Sequence, residues 1–218
     1  MTDISDFTSI GYPNIKILYE DNHVLVLYKP SGLLTQPTDL SEDSLVTRAK
    51  YFIKLRDNKP YNVFLEAIHR LDKPVSGIVV IAKTSKALKR LMQAIREKKC
   101  QKRYRAKVTG KMPHKEGLLV DYLKKDNYRT NPSSEGKECS LEYKVVKEEG
   151  AYSFLEIKLL TGRYHQIRAQ LQLAKCPIVG DQKYGSKESL PYGAIDLEHF
   201  YFSFPHPVTE EIIEIEVV

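Results

Sequence analysis

Three short segments concentrate the side chains that can do chemistry. His69-Arg70-Leu71-Asp72-Lys73-Pro74-Val75-Ser76-Gly77 packs opposite charges into a turn that leads into an apolar run. A carboxylate held there, Asp72, can act as a nucleophile or as a base. Thr161-Gly162-Arg163-Tyr164-His165-Gln166-Ile167-Arg168 combines a glycine suited to a tight turn, the start of a helix and two arginines. Helix N-terminal amides and guanidinium groups suit phosphate or carboxylate. Lys102-Arg103-Tyr104-Arg105-Ala106-Lys107 sets one aromatic ring among bases. Such a ring can stack a nucleobase while its neighbours meet phosphates. Each segment also has a plain reading: an Asx-type turn at Asp72, a capped helix with a surface ion pair at Arg168, and a strand with Tyr104 half buried.

The elements that must position these residues can be read from their periodicity. Ile15–Tyr19 and Val24–Tyr28 read as strands joined by turn chemistry at Glu20-Asp21-Asn22, and Lys29-Pro30-Ser31-Gly32 breaks the second. Leu45, Ala49, Phe52 and Ile53 share one face of a helix from Ser44 to Arg56, with Ser44 or Asp43 as its cap. Gly77–Ala82 is continuously apolar, as strands buried on both faces are. A helix capped by Thr84 or Ser85 follows, with Leu88, Leu91, Met92 and Ile95 as its stripe. Tyr104–Val108 reads as a strand. The stretch 124–137, rich in Asn, Ser, Pro and Gly and without period, reads as a mobile loop. Alternation from Cys139 to Val145, a turn at Glu149-Gly150 and a return through Leu159 predict a hairpin. A helix from about His165 to Ala174 and two final strands, Phe200–Phe204 and Ile212–Val218, complete the chain. Strands that follow one another directly favour an α+β fold on a large mixed, mainly antiparallel β-sheet flanked by helices. Residues 1–14 read as an N-terminal tail and 15–218 as one domain, with no dividing linker and no repeat.

At 218 residues, 42% hydrophobic and 28% charged, the chain suits one substantial soluble core. No apolar run approaches the roughly 18 residues that span a bilayer. Met1–Ile10 carries Asp3 and Asp6 but no Lys or Arg, unlike a secretory or transit segment, so a cytoplasmic protein is expected. Cys100, Cys139 and Cys176 form no CxxC pair, and the six histidines show no metal-ligand spacing. Charge is unevenly placed. The net is +6, yet Lys83–Lys107 alone holds eleven Lys/Arg against Glu97 and carries +10. A basic stripe on an otherwise slightly acidic chain suits a polyanion, or else a solvated helix face.

Taken together, Asp72, Tyr104 and Arg168 with their flanking residues resemble the RluA-type family of RNA pseudouridine synthases. Tyr28-Lys29-Pro30-Ser31-Gly32-Leu33 is similar to that family's early Lys-Pro turn, and His69–Thr84 to its catalytic segment. Gly162–Arg168, Pro177-Ile178-Val179-Gly180-Asp181, Tyr184-Gly185 and Phe202–Pro207 are similar to its later signatures, in the expected order. The resemblance implies a pseudouridine synthase fold and conversion of specific uridines of rRNA or tRNA to pseudouridine. Asp72 would be the catalytic aspartate. Arg168 would pair with it, Tyr104 would stack near the target base, and Arg70 would help displace that base. The reaction breaks N1–C1′, turns the uracil and forms C5–C1′. No atoms enter or leave, so no cofactor and no metal is expected. The nucleotide must be flipped out to be reached, and the basic stripe would follow the surrounding phosphates.

The chain departs from the family pattern in three places. About fifteen residues precede the first strand, so no S4-like RNA-binding domain is expected there, and substrate choice would fall to the catalytic domain, including residues 124–137. Cys176 stands where many relatives have Gly, and His199-Phe200 replaces a Leu-His-Ala-like sequence; neither is expected to touch the catalytic set. A monomer is expected. A non-catalytic RNA-binding protein and an N-glycosidase are the competing classes, separated by turnover and by release of free base.

Overall fold

The structure is a computed structural model and describes residues 5–218. Eleven strands and three α-helices occur among the described residues, an α+β fold on a large, mainly antiparallel sheet. Contacts group the chain into two compact units, one running to Gln101 and resuming at Phe200–Val218, the other comprising Lys102–His199.

In the first unit β1 (Lys16–Glu20), β2 (Val24–Lys29) and β4 (Ser76–Ala82) lie side by side, with the short β3 (Glu66–Ala67) also on β4. β10 (Leu197–Pro205), whose residues from Phe200 on belong to this unit, follows β4 and pairs with β11 (Ile212–Glu216). The apolar runs of β2 and β4 are buried throughout, as their composition requires. Their register sets Lys29 opposite Gly77, five residues beyond Asp72.

Two helices pack on this unit. α1 (Leu45–Arg56) is capped by Ser44 Oγ, which accepts from Thr47 N at 3.2 Å. It buries Leu45, Ala49, Phe52 and Ile53 as the spacing predicts. α2 (Ser85–Arg96) is capped by Thr84 Oγ1, 3.1 Å from Ala87 N. Leu91 is its fully buried residue, while Leu88, Met92 and Ile95 pack half-buried around the cluster of Val24, Val80, Phe202 and Phe204. The segment expected as a tail contains, from Ser5 on, a 3-10 turn at Phe7–Ile10 closed by the Asp6 carboxylate. Phe7 is fully buried and stacks on Phe52 at 4.3 Å. Residues 1–4, including Asp3, lie outside the described residues.

The second unit carries β5 (Gln101–Thr109), β9 (Tyr152–Leu159), β8 (Lys137–Glu149), β6 (Glu116–Asp126) and β7 (Arg129–Pro132) in that spatial order, with α3 (Gln166–Leu173). Residues 124–137 are not the loop that their composition suggests. They hold the end of β6, a tight turn and β7, paired from Leu123↔Pro132 to Asp126↔Arg129. Asn127 supplies the left-handed residue of the turn at φ 46°. The chain then doubles back at Ser133–Gly136 into β8. A Cβ on Gly136 would lie 2.6 Å from the main-chain N and C of Leu123, with only backbone to yield. Gly136→Ala should therefore destabilise the whole chain by about 1–3 kcal/mol, the usual cost of overpacking. Urea unfolding checks this, and an unchanged midpoint would refute it.

The basic stripe runs through both units. Its α2 part lies in the first unit and its β5 part in the second. Within the first unit Lys83 is spent on Glu20 at 2.7 Å, a carboxylate also held by Arg56 through two 2.7 Å bonds. These cations hold the Glu20 carboxyl down at about 2.

Candidate active site

Asp72 sits in a turn closed by a bond from Val75 N to its own carbonyl at 3.0 Å. Leu71 and Val75 on either side are buried and anchor the turn to the core, leaving Asp72 half-buried and Arg70 exposed. A second segment clasps it. Gly32, at φ 82°, donates its N–H to Lys73 O at 2.8 Å. Thr35 Oγ1 both accepts from Leu71 N (3.1 Å) and donates to Leu71 O (2.9 Å).

Lys29 completes the clasp and was not foreseen as a site residue. Its side chain is fully buried. The ammonium donates to Pro30 O (2.9 Å), Leu33 O (2.8 Å) and Lys73 O (3.3 Å), so each of its three protons has an acceptor. Burial pushes its pKa down to about 7, and the Asp72 carboxylate opposes that fall. Its sequence signals were a lysine closing an otherwise apolar strand and its place in the Lys29-Pro30-Ser31-Gly32 turn.

Tyr104 and Arg168 belong to the second unit. Tyr104 is buried on β5, opposite Ile157 of β9. Its ring stacks on His199, with centroids 4.6 Å apart and planes at 23°. His199, expected to stay clear of the catalytic set, is thus in direct contact with one member. His199 opens the stretch of β10, His199–Phe204, that is buried throughout, and is itself fully buried.

Arg168 is buried on α3 and grips Asp181 with two bonds, Nε to Oδ2 at 2.7 Å and Nη2 to Oδ1 at 2.8 Å. Its guanidinium also lies 4.9 Å from the centre of the Tyr184 ring. The tight turn before α3 falls not at Gly162 but at His165, which takes φ 52°. His165 is buried under Tyr164 with ring centres 3.8 Å apart. Burial first, then the nearby Arg168 charge, drive its pKa down to about 3. It is therefore neutral at physiological pH. Tyr184 Oη accepts from Thr130 N at 2.8 Å and lies 2.9 Å from His165 Nδ1. The hydroxyl and Nδ1 thus share a buried hydrogen bond. Gln166 fixes the preceding loop by accepting from Thr161 Oγ1 (2.9 Å) and Arg163 N (3.0 Å).

What these parts can do is bounded by their chemistry. One clasped carboxylate can attack or take a proton, and a buried aromatic can lie against a base. Among the described residues, no three His, Cys, Asp or Glu side chains are placed to hold a metal ion.

The family described as RNA pseudouridylate synthase matches residues 23–173, and the chain belongs to that family. It is 34% identical over 213 residues to Ribosomal large subunit pseudouridine synthase C of Escherichia coli strain K12, covering 92% of this chain and 65% of that one. The corresponding protein of Buchnera aphidicola subsp. Baizongia pistaciae is 36% identical over 180 residues, covering 80% and 55%. The chain thus spans between 55% and 65% of the length of these curated relatives. Human RNA Pseudouridylate Synthase Domain Containing 4 is similar in structure, with a TM-score of 0.77 at 19% identity over 93% of this chain and 87% of that one. Domain Containing 1 gives 0.74 at 20% identity over 94% and 83%. At that identity the likeness establishes the fold.

Proposed function

We propose that the protein isomerises specific uridines of RNA to pseudouridine, with Asp72 as its catalytic residue. The observation that carries this reading is the Asp72 turn, clasped through its main chain and flanked by the buried ammonium of Lys29. Asp72 acts as nucleophile at C1′ or as base at C2′. Tyr104, Arg168 and Arg70 are the proposed uridine-binding residues. The N1–C1′ bond breaks, C5–C1′ forms, the C5 proton leaves to water and N1 takes up a proton from water. No cofactor or metal takes part. Large-subunit rRNA is the first substrate to test, because the curated relatives carry that name, and tRNA is the second. Among the described residues no helix is long and apolar enough to cross a membrane. A cytoplasmic monomer completes the proposal.

The test uses unmodified transcripts labelled with tritium at uridine C5. Isomerisation releases tritium to water and leaves the RNA mass unchanged. Loss of uracil from the chain would mark an N-glycosidase instead, and RNA binding without release would mark a non-catalytic binder.

Arg168→Lys keeps the charge but cannot make the two-pronged grip on Asp181. Leaving part of a buried carboxylate unpaired should cost about 2–3 kcal/mol of stability. Turnover should fall at least tenfold. A variant with wild-type midpoint and turnover would remove Arg168 from the proposal.

A further inference from the structure

We infer that the β6–β7 hairpin, with Arg163 and Tyr164, forms a second RNA site, a cleft for the phosphodiester backbone that uses none of the residues proposed to hold the target uridine. The inference rests on the proposed RNA substrate. The cleft measures about 350 Å³ and lies wholly within the second unit. Lys124, Lys125, Lys137 and Arg163 surround it, against a single carboxylate, Glu135. Glu135 is already taken by Lys124 at 2.7 Å. Lys125, Lys137 and Arg163 are exposed, and each lacks a carboxylate partner among the described residues. Three uncompensated cations around one concavity repel each other and attract a polyanion.

The frame that presents them is firm. Thr130, opposite Lys125 in the hairpin, is buried and bonded twice: its N–H donates to Tyr184 Oη at 2.8 Å and its hydroxyl to Tyr164 O at 2.7 Å. Tyr164 is stacked on His165, and Lys125 Nζ rests 4.7 Å from its ring centre. Gly136 lets the return strand close against Leu123. The strands that carry Lys125 and Lys137 and the loop that carries Arg163 are therefore anchored by buried groups. That arrangement suits a repeating phosphate backbone, and charge-only contact of this kind positions RNA without reading its sequence.

The test compares Lys125→Ala/Lys137→Ala with wild type and with Lys54→Ala/Lys59→Ala, a control that removes two exposed charges elsewhere. The probes are unmodified, C5-tritiated transcripts of large-subunit rRNA and of tRNA. Filter binding across a salt series gives affinity and slope, and tritium release gives kcat and KM. The cleft variant should bind about tenfold more weakly, with the slope of log K against log salt reduced by about 0.7 for each contact removed. KM should rise in step while kcat holds, and the control should behave as wild type. Unchanged affinity and slope in the cleft variant would overturn the inference, as would an equal loss in the control. Wild type that binds RNA without releasing tritium would sink the isomerase reading alone, since the binding comparison still decides the cleft. Wild type without RNA affinity would sink both.

Discussion

Asp72→Asn should abolish tritium release, by at least about 10⁴-fold, or roughly 5.4 kcal/mol of activation free energy. The amide keeps the size of the carboxylate but can neither attack C1′ nor accept a proton from C2′. The turn should survive the change. Its clasp runs through the main chain of Leu71, Asp72 and Lys73, with bonds from Thr35, Val75 and Gly32. Unfolding midpoint and RNA affinity should therefore stay close to wild type, which separates lost chemistry from lost structure. Residual turnover within tenfold of wild type would show that another group carries the reaction.

Lys29→Met should have the next largest effect, on two independent readouts. The first is turnover. Methionine fills the space but donates nothing to Pro30 O, Leu33 O or Lys73 O, and it removes the positive charge beside Asp72. Small displacements of a reacting group cost on the order of 100-fold, and a fall of about that size in kcat is expected with RNA binding kept. The second is the pH dependence of stability. Lys29 has its pKa lowered from 10.5 to about 7 in the folded chain. Between those values the unfolded chain holds the proton and the folded chain has released it. Stability from this group must then rise with pH across that window, by up to about 1.4 kcal/mol per unit. Below about pH 7 both states are protonated and the group contributes no slope. The gap between wild type and Lys29→Met, measured by urea unfolding at pH 6, 8 and 10, should move in favour of wild type as pH rises. Other titrating groups cancel in the difference. Parallel curves would exclude the buried, readily discharged lysine. The same titration works against catalysis, because it discharges the cation next to Asp72.

The parts of this architecture that could be read from sequence are those governed by local patterns. The caps Ser44 and Thr84, the buried faces of α1 and α2, and the apolar strands β2 and β4 follow from neighbours within a few residues. Asp72 stood out because its segment carries charge into an apolar run. What escaped depends on partners far along the chain. Lys29 is buried only because carbonyls at residues 30, 33 and 73 converge on it. Arg168 meets Asp181, 13 residues on, across the turn that follows α3. His199 reaches Tyr104 through its place on β10. The hairpin at 124–132 was hidden for a different reason. Most of its residues face solvent, so the strands keep polar residues on both faces, and Asn, Pro and Gly give the composition of a loop.

That hairpin has an unequal anatomy. Its returning strand is pinned through Thr130 to Tyr184 and to the main chain of Tyr164, whereas its tip at Asn127 and Tyr128 is exposed. Residues added at the tip would disturb no buried bond, and each doubling of such a loop costs only about 0.6 kcal/mol in closure entropy. A lineage can thus lengthen this finger without touching the buried bonds that hold it. Divergence in substrate among such chains need not begin near the aspartate; it can begin with an insertion of a few residues between Asp126 and Arg129.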